Sequence, residues 1–123
     1  MSFRLRWTPE ATKTFEGLEQ AAERAARTRA EANKTSGGKR RTKSSKQEGL
    51  FKQVGKAIWY LADNPRHSGL STHEFESLDN PVDPKGKVFE AYAQSRTPGA
   101  YRIFWCYGPE SGEITIIAIT PHP

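Results

Sequence analysis

The sequence predicts an α+β domain: an antiparallel β-sheet of four to five strands with an N-terminal helical hairpin packed on one face, in the order β-α-α-β-β-β-β. Three observations predict it. The opening residues alternate apolar and charged side chains, two later stretches carry apolar stripes at helical spacing, and the second half holds aromatic and β-branched segments joined by short turns.

Phe3, Leu5 and Trp7 alternate with Arg4 and Arg6, the period-two pattern of a strand with one buried face. Thr8-Pro9-Glu10 then supplies an N-cap hydroxyl, a proline at the first helical position and a carboxylate where the helix dipole favours negative charge. The spacing of Ala11, Phe15, Leu18, Ala22 and Ala25 predicts a helix over 9–32, its alanine-rich end protruding beyond the core. Asn33 to Gln47 has no large apolar residue and centres on Gly37-Gly38, which predicts a flexible basic loop within a single domain spanning 1–123. Leu50, Val54, Ala57, Ile58 and Leu61 predict a second helix from about Glu48 to Asn64-Pro65.

Beyond it, His73 to Leu78 reads as a short strand, and Asp79 to Gly86 is saturated with turn formers. Lys87 to Ala93, Ala100 to Tyr107 and Glu113 to Thr120 are stronger strand candidates. The links Arg96 to Gly99 and Gly108 to Gly112 are of hairpin length, so consecutive strands run antiparallel. Trp7, Trp59 and Trp105 are read as core.

Composition narrows the function classes. With 123 residues, 35% of them hydrophobic, the chain can build one small core, which excludes a multi-domain enzyme. Apolar runs such as Ile116 to Ile119 fall far short of a bilayer span, so no membrane partner is expected. The N-terminus lacks an apolar export region, and Cys106 is alone, so a reducing cytoplasm is the expected compartment. The net charge is +5, yet nine basic residues between Arg24 and Lys46 face only Glu31, leaving the remainder mildly acidic. Such a block suits a polyanionic partner, and it equally suits a solvated loop that merely tolerates charge.

Read in order, the opening strand into Thr8-Pro9-Glu10-Ala11, the second helix ending Leu61-Ala62-Asp63-Asn64-Pro65-Arg66-His67, then His73 to Leu78, Val88-Phe89-Glu90-Ala91-Tyr92, Ala100 to Trp105 and Ile114 to Ile119 form a set. The set resembles the RelE/ParE superfamily of small bacterial toxins, the toxic halves of type II toxin–antitoxin pairs. RelE-like members cut messenger RNA at the ribosomal A site without a metal, and ParE-like members inhibit DNA gyrase. The resemblance implies a translation-inhibiting mRNA endoribonuclease with the ribosome and mRNA as partners, or alternatively a non-enzymatic gyrase inhibitor, or a degenerate member that only binds an antitoxin. In each case a cognate antitoxin protein is the implied partner.

Metal-free RNA cleavage needs a base for the 2′-hydroxyl, a cation for the pentavalent phosphate and an acid for the leaving oxygen. By resemblance, Arg102 is the arginine placed against the scissile phosphate, a fork of fixed donors that stays charged; the other reading pairs it with Glu90 on the neighbouring strand. By the same resemblance, His122 is the C-terminal catalytic histidine, held between Pro121 and Pro123; otherwise it belongs to a frayed end. Glu90 is a candidate base or the partner of Arg102. Tyr92 stands where the family often has a basic residue and either stacks on an RNA base or packs at the strand edge. The lysine pair that RelE carries on this strand is replaced by Phe89 and Ala91. His73 and Glu74 lie near a glutamate used in one RelE-like branch, and only one of two adjacent strand residues can reach the cleft. His67 is assigned to the helix C-terminus. Lys39, Arg40, Arg41, Lys43, Lys46, Lys85 and Lys87 are the expected RNA-binding cations. The histidines and Cys106 lack metal-ligand spacing, so no metal and no cofactor are expected.

Overall fold

A computed structural model describes residues 2–35, 46–94 and 99–121. The expectations for Lys39, Arg40, Arg41, Lys43 and His122 lie outside the described residues. The elements are β1 (Arg4–Trp7), α1 (Pro9–Thr35), α2 (Lys46–Asp63), a 3-10 turn (Ser68–Leu70), β2 (His73–Glu74), β3 (Phe89–Tyr92), β4 (Tyr101–Tyr107) and β5 (Glu113–Pro121). They form an α+β fold with one five-stranded sheet in the order β1-β5-β4-β3-β2.

The cap predicted for α1 is present: the Thr8 hydroxyl accepts from the Ala11 N–H at 3.1 Å and donates to the Ile117 carbonyl at 2.6 Å. One side chain thus satisfies an orphan helix donor and pins the helix start to β5. Ile117 is the residue passed over where the β4–β5 register shifts between Phe104 and Trp105. Both helices extend beyond their predicted ends, to Thr35 and back to Lys46. Across the hairpin, Arg29 donates to both carboxylate oxygens of Glu48 at 3.0 and 2.7 Å.

Three expectations change. The sheet is mixed rather than wholly antiparallel, because β1 pairs parallel to β5, Arg4 opposite Glu113 and Trp7 opposite Ile116. Short links dictate direction only between consecutive strands, and β1 and β5 are separated by nearly the whole chain. The strand expected over 73–78 stops after Glu74. Phe75 and Leu78 both pack on one cluster, and a spacing of three cannot place two residues on the same face of a strand. Trp59, read as core, is 65% exposed; Val54, Ala57, Ile58 and Leu61 fill the buried stripe of α2, and position 59 points away from it.

The helices cover one sheet face, where Ala11, Val54, Leu61, Ile103, Trp105, Ile114 and Ile116 form the main core. On the second face Val88, Phe104, Cys106, Ile117 and Ala118 make a smaller cluster under Phe75, Leu78 and Val82. Burial pushes the Cys106 thiol up to about 11, so it carries little thiolate at neutral pH. A thiol reagent at pH 7 is expected to label Cys106 only as the protein unfolds, and stoichiometric labelling of the native chain would contradict its place in the core.

At the β1–β5 seam Arg6 Nε donates to buried Glu113 at 2.9 Å, and the Glu110 N–H donates to the other carboxylate oxygen at 3.1 Å. The Arg6 hydrogen bond, the largest cause, holds the Glu113 carboxyl below its ordinary value against the opposing effect of burial. A group depressed in the folded state contributes stability above its unfolded pKa and loses it as the pH falls through the folded value. Glu113→Gln should therefore flatten the loss of stability between about pH 5 and pH 3. Urea midpoints across that range check it; an unchanged slope would refute it.

Candidate functional site

Residues paired across neighbouring strands share a sheet face. Register places His73 of β2 opposite Glu90 of β3, which lies opposite Phe104 of β4; one rung along, Tyr92 lies opposite Arg102, which lies opposite Thr120 of β5. Two rungs of the second face thereby collect an imidazole, a carboxylate, a phenol and a guanidinium.

Glu90 is buried, with 1% of its surface exposed, and both its oxygens are engaged. Arg102 Nη1 donates to Oε2, and His73 Nε2 lies 2.7 Å from Oε1. The pairing of Arg102 with Glu90 weighed from the sequence is present, and it is a buried pair rather than a surface one: Arg102 is only 7% exposed. Its guanidinium carbon lies 5.8 Å from the ring centres of both Tyr92 and Phe104, and its buried Nε has no hydrogen-bond partner. In this geometry Arg102 compensates Glu90; its donors are not turned outward to solvent.

His73 is the exposed member of the cluster, with 44% of its side chain in solvent. Its Nδ1 lies 3.2 Å from the Ser71 carbonyl, so both ring nitrogens face oxygen acceptors. A doubly protonated ring donates to both, a neutral ring to one. The Tyr92 ring lies 5.7 Å from the His73 ring, so Tyr92, half-buried, packs against both the imidazole and the guanidinium. The result is an exposed imidazole oriented by a buried carboxylate whose charge Arg102 balances from below.

The other predicted residues lie apart. Lys87 is exposed and donates to Glu74 at 2.9 Å, on the opposite face of β2 from His73. Lys85 is exposed in the turn before β3, and Lys46 is exposed at the start of α2. His67 does not finish α2: its Nδ1 accepts from the Gly69 N–H at 3.0 Å and caps the 3-10 turn, with its ring stacked 4.1 Å from Tyr60. Sequence reasoning ranked His73 low. The only signal that could have raised it is the register that sets it opposite Glu90, and no local pattern encodes register across a long turn. Among the described residues no group of three His, Cys, Asp or Glu side chains converges to hold a metal ion. No helix among them is long and apolar enough to cross a membrane.

A helical hairpin on a mixed five-stranded sheet, with the first strand beside the last, is the RelE-like α+β fold. Solved structures share it along the whole chain. The archaeal RelE of the RelE–RelB complex from Pyrococcus horikoshii superposes with a TM-score of 0.54 at 12% identity, covering 98% of this chain and 96% of that one. The YoeB/ParE toxin from Agrobacterium tumefaciens matches at 0.57 and 10% identity, covering 98% and 99%. The YoeB dimer from Staphylococcus aureus matches at 0.57 and 10%, covering 100% of both chains. No family model matches the sequence. No curated protein matches it significantly.

Proposed function

We propose that this protein is a RelE-like toxin of a toxin–antitoxin pair that cleaves messenger RNA on the ribosome without a metal and so inhibits translation. The observation that carries this reading is the exposed His73 imidazole held 2.7 Å from the buried Glu90 carboxylate on the sheet face away from the helices. A histidine is suited to moving protons near neutral pH, and a carboxylate behind it fixes its orientation. In this reading His73 transfers a proton at the scissile phosphate, and His122 is the second proton-transfer group. Glu90 is a positioning residue, and Arg102 balances its charge while adding positive potential beneath the phosphate. Tyr92 is the aromatic surface for a base, and the basic residues from Lys39 to Lys46, with Lys85 and Lys87, bind RNA phosphates. The partner that restrains the toxin is a cognate antitoxin, as RelB accompanies RelE in the archaeal complex.

A ParE-like gyrase inhibitor is the second reading. It is favoured by the burial of Arg102 in its pair with Glu90 and by Phe89 and Ala91 in place of strand lysines. Primer extension on a translated message, run beside a gyrase supercoiling assay, separates the two. Discrete cuts that require translating ribosomes support the nuclease. Inhibited supercoiling with intact message supports the gyrase inhibitor.

A further inference from the structure

Between the α2–β2 connection and the helix-facing side of the sheet at its β2 edge lies a cleft of about 420 Å³, within the size range of small-ligand sites. Its lining is aromatic, with Trp105 buried at its base and Tyr107 the exposed ring. Phe89 stacks on Trp105 with centroids 4.7 Å apart and 23° between the ring planes. Tyr107, 43% exposed, stands edge-on to both, at 5.7 and 5.0 Å. Register sets Glu74 in the same row as Phe89 and Trp105, so a carboxylate borders this platform at the edge of the sheet. The pair between Glu74 and Lys87 is solvent-exposed at both ends and therefore weak enough to exchange for another donor. Ser71 in the cleft wall adopts a φ of 48° where it ends the 3-10 turn, its N–H donating to the Ser68 carbonyl.

We propose that this cleft receives an unpaired guanine of the RNA substrate. Unpaired bases are held on aromatic faces and read at their Watson–Crick edges. Guanine alone presents two adjacent N–H donors there, at N1 and N2, matching the two oxygens of a carboxylate; adenine, cytosine and uracil each offer one donor group. His73 lines the same cleft while its Nε2 reaches Glu90 on the other face. The strand carrying it is two residues long. An RNA strand rounding this short edge keeps its base against the exposed Tyr107 ring and its phosphate beside His73. The inference rests on the nuclease reading for the identity of the substrate.

The test titrates 5′-GMP and 5′-AMP into the full chain and follows the amide resonances of Phe89, Trp105 and Tyr107. GMP should shift them and bind about tenfold or more tightly than AMP. Tyr107→Ala should weaken GMP by about tenfold, the usual worth of one stacking face. Glu74→Gln should bring GMP and AMP to equal affinity; both side chains are exposed, so neither change threatens the fold. Equal binding of the two nucleotides to the native chain, or shifts confined to other residues, would overturn the proposal. In translation reactions, cuts by E74Q that lose their preference for guanine support it. Unchanged site preference in E74Q and Y107A overturns the cleft and leaves the nuclease standing, whereas GMP bound in the cleft with no message cut overturns the nuclease and leaves a guanine site.

Discussion

Arg102→Ala is expected to destabilise the protein by about 3–5 kcal/mol, the range found when one partner of a buried ion pair is removed. The cost arises because the Glu90 carboxylate stays in place with 1% of its surface exposed and only His73 left to face it. Truncation also empties the space between the Tyr92 and Phe104 rings. Replacing both members of the pair with methionine removes the buried charge along with its partner, and such swaps are often neutral or stabilising. The double variant should therefore recover most of the loss. Urea unfolding of Arg102→Met, Glu90→Met and the double methionine variant closes the cycle. A loss below about 1 kcal/mol for Arg102→Ala would mean that the pair is an ordinary surface contact.

His73→Ala is expected to reduce ribosome-dependent cleavage by about 10²- to 10⁴-fold, the usual contribution of a positioned proton-transfer group. Because 44% of the side chain is in solvent, folding should be close to native, and a circular dichroism melt beside the cleavage assay verifies that. Glu90→Gln separates orientation from proton transfer: it keeps an oxygen near Nε2 while removing the charge, so cleavage should fall less steeply than in the His73 variant. Cleavage at the native rate in His73→Ala would remove the imidazole from the mechanism and leave proton transfer to other groups.

Much of the architecture was legible because local chemistry and tertiary demand agree. Thr8-Pro9 announces a helix start whose hydroxyl is used as a cap, and the stripe from Val54 to Leu61 is the buried face of α2. β4 and β5 are dense in aromatic and β-branched residues and lie at the centre of the sheet. What escaped was non-local. Nothing near Phe3 tells it that β5 will lie alongside in parallel, and nothing near Phe75 tells it that Leu78 must share its surface. For the candidate site, the types were legible and the depth was not. A pairing of Arg102 with Glu90 could be anticipated from adjacent strands, but its burial depends on Tyr92, Phe104 and His73 closing over it, contacts set by register across the 79–86 turn. Tryptophan size suggested burial for Trp59, whereas its angular place on α2 decides exposure.

β5 lies between β1 and β4, pairing with β1 over Glu113–Ile116 and with β4 from Ile114 to Pro121. Among the described strands it is also the latest in chain order, so it is made after the strands it joins. Until it emerges, β1 has no partner and the two halves of the main core cannot meet. Folding of this domain consequently waits for residues 113–121, is governed by contacts of wide sequence separation and is correspondingly slow, and a nascent chain stalled before residue 113 carries the helical hairpin without a finished sheet beneath it.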